Sequence, residues 1–276
     1  MKRILSVLVA AAIAFSANAG TIVKNFNHLN SFSGISISNT FDATLVQGDD
    51  YSASVTIDTD LVDWLDVSVV GNVLYVRLKE NSDKIKELTR KAMKVTITTP
   101  SLVQIHLSGA STLRSDDLWE SAMERFTLSL TGASKATKLR IGGSELKADV
   151  SGASNCSVIG DFAVLDIDIS GASAITVSGQ FDEIEAKASG TSKISLFGKA
   201  DEIDFTCSGS SFLNGEKLNV NEAKLVCNGA SKATIDVNNK LDVELTGAST
   251  CRYRTRNESL MITPSISRAS SFKRIN

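Results

Sequence analysis

The chain has 276 residues, 42% of them hydrophobic and only 6% aromatic, with 29 basic and 31 acidic side chains and a formal charge of −2. So close a balance excludes the clustered positive charge of a nucleic-acid footprint. Length alone would allow two globular domains, but elongated repeat folds escape that prior.

Residues 1–19 read as a signal peptide. Lys2 and Arg3 precede an apolar run over 4–15, and Ala17-Asn18-Ala19 supplies a small-residue cleavage signal. Twelve apolar residues fall short of the roughly 20 a spanning helix needs. No cysteine follows the cleavage site and no second long apolar run exists, so the mature chain is expected to be exported, without a lipid anchor or a membrane span. It would start near Gly20 and carry 27 basic and 31 acidic residues, a formal charge of −4.

Residues 20–100 form a β-rich part of low regularity. Phe32, Ile35 and Ile37 begin an alternation that Phe41, Ala43 and Leu45 resume, and Ala53, Val55 and Ile57 give another. Leu65, Val67 and Val69 run into Gly71-Asn72, and Leu74, Val76 and Leu78 follow. Alternating runs on either side of Gly-Asn predict a tight hairpin. Over 82–93 the period changes, with Ile85, Leu88 and Ala92 spaced for either a short capped helix or a charged loop. Val95 and Ile97 then alternate up to Pro100.

Residues 101–276 are dominated by one stretch, Leu107-Ser108-Gly109-Ala110-Ser111, which returns at 130–134, 150–154, 169–173, 188–192, 207–211, 227–231 and 245–249. A degraded ninth copy spans 266–270, with Arg268 in the glycine's place. The glycines Gly109, Gly132, Gly152, Gly171, Gly190, Gly209, Gly229 and Gly247 are 23, 20, 19, 19, 19, 20 and 18 apart. A fixed period near twenty marks a solenoid. The surplus of the first interval is expected around Asp116-Asp117-Leu118-Trp119, as a loop bulging outward.

Aligned on the glycine, the residue two before it is always apolar, from Leu107 to Leu245, and so is the residue four after it, from Leu113 to Cys251. The residue two after it is always serine. Stacked coils require such columns, because each position lands above its equivalent. The glycines are read as structural turns at positive φ, with serines satisfying backbone groups at the bend. A ligand-binding strip of stacked serines is the less favoured reading. The fold class is all-β, a single-stranded β-solenoid of about 19–20 residues per coil. The uneven gaps favour a right-handed parallel β-helix. At about 4.8 Å per step, nine marks span about 38 Å.

Cys207 and Cys227 occupy one inward column in consecutive coils, within disulfide range, although the same column elsewhere holds Leu, Val, Ile and Ala. A bridge between them and two buried free thiols both fit. Cys156 and Cys251 share a column five coils apart and cannot pair. Asp182-Glu183 and Asp201-Glu202 are in phase, and Glu222 follows in the next coil. Like charges so stacked repel unless solvent or a cation intervenes, making these five the candidate calcium ligands. A solvated acidic face tempered by Lys187, Lys199 and Lys224 is the plainer reading. No cofactor is expected. His28 and His106 stand in unrelated contexts, and the Gly-Ala-Ser units lack the second glycine of a nucleophile elbow. No catalytic residue is assigned.

The Ser-Gly-Ala-Ser copies, the preceding Val95, Ile97, Pro100 and Leu102 segment, the opening 32–48 stretch and the closing segment from Tyr253 through 265–270 resemble the putative auto-transporter adhesin, head GIN domain family. The resemblance covers essentially the whole mature chain, though the family usually has glycine at Arg268. It implies an exported, mainly β-helical domain of the cell envelope and transfers no catalytic residue. The family's name would ask for a C-terminal membrane barrel, for which the 27 residues after Ser249 are too few. The function expected is an exported, non-catalytic binding or scaffold domain, adhesin-like, whose partner is a glycan or protein surface. The alternatives are a periplasmic β-solenoid that is structural or self-associating, a homo-oligomer in the second case, and a carbohydrate-active β-helix enzyme using the acidic columns.

Overall fold

A computed structural model describes residues 20–79, 93–120 and 125–275. The chain is a β-solenoid of about eight turns. The strand Ala174–Ala188 shows how one coil is built. Its inward side chains are Ile175, Val177, Phe181, Ile184, Ala186 and Ala188, none more than 4% exposed. Their spacing is two along each straight stretch and widens where the chain bends at Gly179-Gln180 and at Asp182-Glu183. The next strand, Lys193–Cys207, lies parallel above it without a slip, from Ala174 opposite Lys193 to Ala188 opposite Cys207. Each coil therefore contributes a post-turn stretch and a pre-turn stretch, and these stack into two continuous parallel sheets joined at the Ser-Gly-Ala-Ser corner.

The corner meets the sequence expectation in detail. All eight glycines have φ between +70° and +78°. The residue after each donates its N–H to the corner carbonyl of the coil below, at 2.6–2.8 Å. Backbones approach so closely that a Cβ on any of these glycines would stand 2.3–2.8 Å from that carbonyl oxygen. Positive φ and backbone approach thus both demand glycine here. The serine two residues later points inward and is at most 2% exposed in every coil. In Ser111, Ser134, Ser192, Ser211 and Ser231 its hydroxyl donates to the carbonyl three residues back, at 2.8–2.9 Å. Buried and occupied in this way, these serines cannot form a ligand strip.

A second corner went unnoticed in the sequence. Gly160, Gly179 and Gly198 stand directly above one another, and a Cβ on any of them would lie 1.8–1.9 Å from a carbonyl oxygen of the coil below. In the later coils this region is held by amides instead. Asn219 and Asn238 exchange side-chain hydrogen bonds, and Asn257 donates to the Asn238 carbonyl at 2.9 Å.

The expected outward loop at 116–119 is corrected. Leu118–Glu120 is a strand, parallel to residues 140–142. Trp119 lies opposite Ile141, is fully buried, and donates its indole N–H to Ser115 Oγ at 2.9 Å. The solenoid interior needs a large apolar filler at this level, and a three-residue alternation was too short to announce it.

Residues 20–100 belong to the same stack but are visited out of order. Gly34–Ile37 and Phe41–Gln47 make a coil directly below Gln104–Leu107 and Thr112–Arg114. Asn39, at φ +71°, occupies the corner there, and its carbonyl accepts from Ala110 N as the glycine carbonyls do above. Asparagine tolerates this conformation, and Asn39 Oδ1 also accepts from Leu78 N at 2.9 Å. Val73–Leu78 and Met93–Thr99 form the coil below that one. Antiparallel strands then close the end: Ser52–Asp58 lies on Met93–Thr99, Thr21–Phe26 on Ser52–Asp58, and Leu65–Val70 on Val73–Leu78. This last pair is the hairpin expected at Gly71-Asn72, both residues at positive φ. A 3₁₀ turn, Thr59–Trp64, buries Leu61. The helix or loop expected over 82–93 lies, but for Met93, outside the described residues, as does the expected signal peptide.

Candidate functional site

Because the interior is filled by side chains, only the outer faces of the two sheets can meet a partner. The pre-turn sheet carries the acidic columns. Glu183, Glu202 and Glu222 stand in register, as their spacing implied, and Lys240 follows in the next coil. Asp182 and Asp201 stand at the bend beside them, and Asp201 Oδ1 accepts from Asn221 Nδ2 at 2.9 Å. With Asp161, Gln180 and Lys199 they line an open groove of about 440 Å³, floored by the parallel rings of Phe162 and Phe181 at 6.4 Å. Among the described residues no three acidic, histidine or cysteine side chains converge on a metal position. Carboxylates on parallel strands project outward side by side, so the five calcium candidates share a surface without forming a cage.

Ion pairs temper this sheet. Arg125–Glu145, Lys147–Asp166, Lys187–Glu185, Lys224–Asp204 and Lys240–Asp242 all lie within it, and every separation is at most 3.0 Å. The hydrogen-bonded carboxylate raises each cation's pKa above its ordinary value. These pairs are solvent-exposed, so each contributes little to stability. Their effect is on the charge pattern that remains.

The cysteines are all buried free thiols. Cys207 and Cys227 are register neighbours, as their spacing required, but no bridge joins them. They fill the inward apolar column as small hydrophobes. A hydrogen bond that Cys227 donates to Cys207, with burial, pushes Cys227 up, the same bond pulls Cys207 down, and burial pushes Cys156 and Cys251 up to about 12. Titration with a thiol reagent should therefore find four thiols in unfolded, unreduced protein and almost none in the folded state near neutral pH. A raised folded pKa also fixes a sign. Below about pH 8.5 Cys156 and Cys251 ionise in neither state. Above it the unfolded chain releases thiol protons that the folded chain retains, so stability falls as pH rises towards 12. Cys156→Ala should make the alkaline slope of the urea midpoint shallower; an unchanged slope would contradict this account.

His106 is half-buried, its pKa lowered by desolvation, with Nδ1 3.2 Å from Ser129 Oγ. His28 adopts positive φ in the connection after Thr21–Phe26. The structure does not bring the two histidines into one site. Asp236 is buried, with one carboxylate oxygen lacking a hydrogen-bond partner, and stands in register between Asn219 and Arg254.

No curated protein matches the chain in sequence. Solved structures do match in fold. A putative adhesin from Parabacteroides merdae is 17% identical with a TM-score of 0.65, covering 96% of this chain and 100% of that one. A putative adhesin from Parabacteroides distasonis is also 17% identical with a TM-score of 0.66, over 92% and 97% of the two chains. A putative lipid binding protein from the same species is 16% identical with a TM-score of 0.62, over 94% and 98%. The model of the putative auto-transporter adhesin, head GIN domain, matches residues 31–180 and 160–256. With that match over most of its length, and a fold shared by these structures from end to end, the chain belongs to the putative auto-transporter adhesin, head GIN domain family.

Proposed function

We propose that the protein is an exported, non-catalytic binding domain, an adhesin-like head that presents its outer sheets to a glycan or protein surface. One observation carries this reading: every coil commits its inward columns to an apolar core, leaving a rigid stack with two broad outer sheets of ordered polar columns. Such pre-organisation lowers the ordering cost of docking on an extended partner. The family and the adhesin structures of the same fold support it. Export is supported by the family and by the expected signal peptide. Among the described residues no helix is long and apolar enough to cross a membrane.

Residues 20–276, applied to arrays of glycans, matrix proteins and lipid vesicles, should show saturable binding to a glycan or protein without turnover. Surface protease accessibility on fractionated cells should find the domain outside the cell. Binding to vesicles alone would move the reading towards the lipid-binding name borne by one structure of the same fold. Polysaccharide cleavage that is lost in Asp201→Ala or Glu202→Ala would replace it with the enzyme reading.

A further inference from the structure

The two outer sheets carry opposite charge, and the register makes the separation explicit. On the pre-turn sheet all five cations of the stack from Arg125 to Lys240 are engaged by carboxylates of the same sheet. That leaves Asp149, Asp168, Glu183, Glu202, Glu222 and Glu244 without an ion pair among the described residues; all point outward, and all but Asp149 are exposed.

The post-turn sheet is the converse. Its first outward column runs Thr112, Lys135, Asn155, Ala174, Lys193, Phe212, Lys232 and Thr250. The next runs from Arg114 through Ser157, Thr176, Ser195, Asn214 and Thr234 to Arg252 and Lys273. Neither column holds an acidic residue above Thr112. Lys135, Lys138, Lys193, Lys232, Arg252 and Lys273 are exposed and have no ion pair among the described residues. At the margin of this sheet lie the outward apolar side chains Leu118, 39% exposed, and Ile159, 51% exposed.

We infer that the basic post-turn sheet of one molecule docks side by side on the acidic pre-turn sheet of a second copy. The argument is one of period as well as sign. The charges of each column are set at whole multiples of the coil spacing, about 4.8 Å per parallel strand. A partner that is to satisfy the whole ladder must carry the opposite charge at the same axial repeat. The other sheet of this chain sets its cations at whole multiples of that spacing, with Lys135, Lys193 and Lys232 three and two coils apart, and offers six unpaired cations to six unpaired carboxylates. Leu118 and Ile159 add apolar surface that a small polyanion would leave uncovered. The contact is heterologous, so each copy offers one sheet of each sign, and association grows into an array or closes into a ring according to the angle between sheets. This inference is independent of the ligand reading above, because its partner is the chain itself and its test contains no ligand.

Three proteins spanning 20–276 test it by sedimentation velocity: wild type; Glu183→Lys/Glu202→Lys/Glu222→Lys; and Lys135→Glu/Lys193→Glu/Lys232→Glu. The screening length falls from about 30 Å at 10 mM salt to about 3 Å at 1 M. Wild type should associate at the low salt and dissociate at the high, its apparent Kd rising by about tenfold or more. Each variant alone should stay monomeric at low salt. Mixed in equal amounts they should associate again, since the first keeps the wild-type basic post-turn sheet and the second the wild-type acidic pre-turn sheet. That restoration also shows that both variants are folded. A wild-type monomer at low salt across the accessible concentrations overturns the inference, as does assembly indifferent to salt. So does a mixture that stays monomeric although both variants melt as wild type does.

Discussion

Gly179→Ala should lower stability by about 3 kcal/mol or more, near or above the upper end of the usual cost of overpacking. The new Cβ would stand 1.8 Å from the carbonyl oxygen of Gly160 and 2.7 Å from its carbon, and both atoms are backbone of the coil below. Backbone in a parallel ladder cannot yield as a side chain can without breaking hydrogen bonds in two coils. The coil above has the same constraint, with a Cβ at Gly198 placed 1.8 Å from the Gly179 oxygen. Gly71→Ala is the control. Unlike Gly179 it has positive φ, +58°, but nothing lies within 4 Å of its would-be Cβ, so only the conformational cost of about 1–2 kcal/mol remains. Urea unfolding followed by circular dichroism compares the two. If Gly179→Ala proves as mild as Gly71→Ala, the second corner is not the close backbone contact described.

Trp119→Ala should cost about 3–5 kcal/mol, as expected for removing a fully buried aromatic side chain. The indole fills the interior at the level of Ile141, and its N–H is satisfied by Ser115, whose hydroxyl donates in turn to the Leu45 carbonyl at 3.0 Å. Truncation opens a cavity and removes one partner of a buried serine at the same time. Trp119→Phe keeps much of the volume and loses chiefly the hydrogen bond, so it should cost about 1 kcal/mol beyond the change in packing. Thermal melts of both variants check the pair. Equal melting temperatures for Trp119→Ala and wild type would put the side chain in solvent, where the sequence had placed it.

That misplacement shows where sequence reasoning stops. The Gly109–Gly247 series was legible because a coil touches only its neighbours, so every inward column must recur at the coil's own length. The adjacency of Cys207 with Cys227, and of Glu183 with Glu202 and Glu222, followed directly. Gly160, Gly179 and Gly198, and Asn219, Asn238 and Asn257, are each spaced by nineteen and could have been found in the same way. The Ser-Gly-Ala-Ser signal simply outweighed them. The opposed charges of the two sheets were half legible. The glutamates form an unbroken run of coils, whereas Lys135, Lys193 and Lys232 are separated by coils bearing Asn155, Ala174 and Phe212.

The sequence by itself determined that this protein is a β-solenoid, what its corners are made of and which residues its core columns contain, because all of these are local in a repeating stack. Only the tertiary structure decided the order of the coils at the N-terminal end. There the chain lays down the Asn39 coil first, then the coil beneath it, and then the Gly109 coil above. The contact between Asn39 and Ala110 joins residues 71 apart, with no period and no glycine to mark it. Nor could the sequence decide which charges remain unpaired. Lys187 bonds Glu185 within its own strand, while Lys224 reaches back to Asp204 in the coil before. Those choices depend on side-chain geometry across strands, and they decide the face that each sheet offers to a partner.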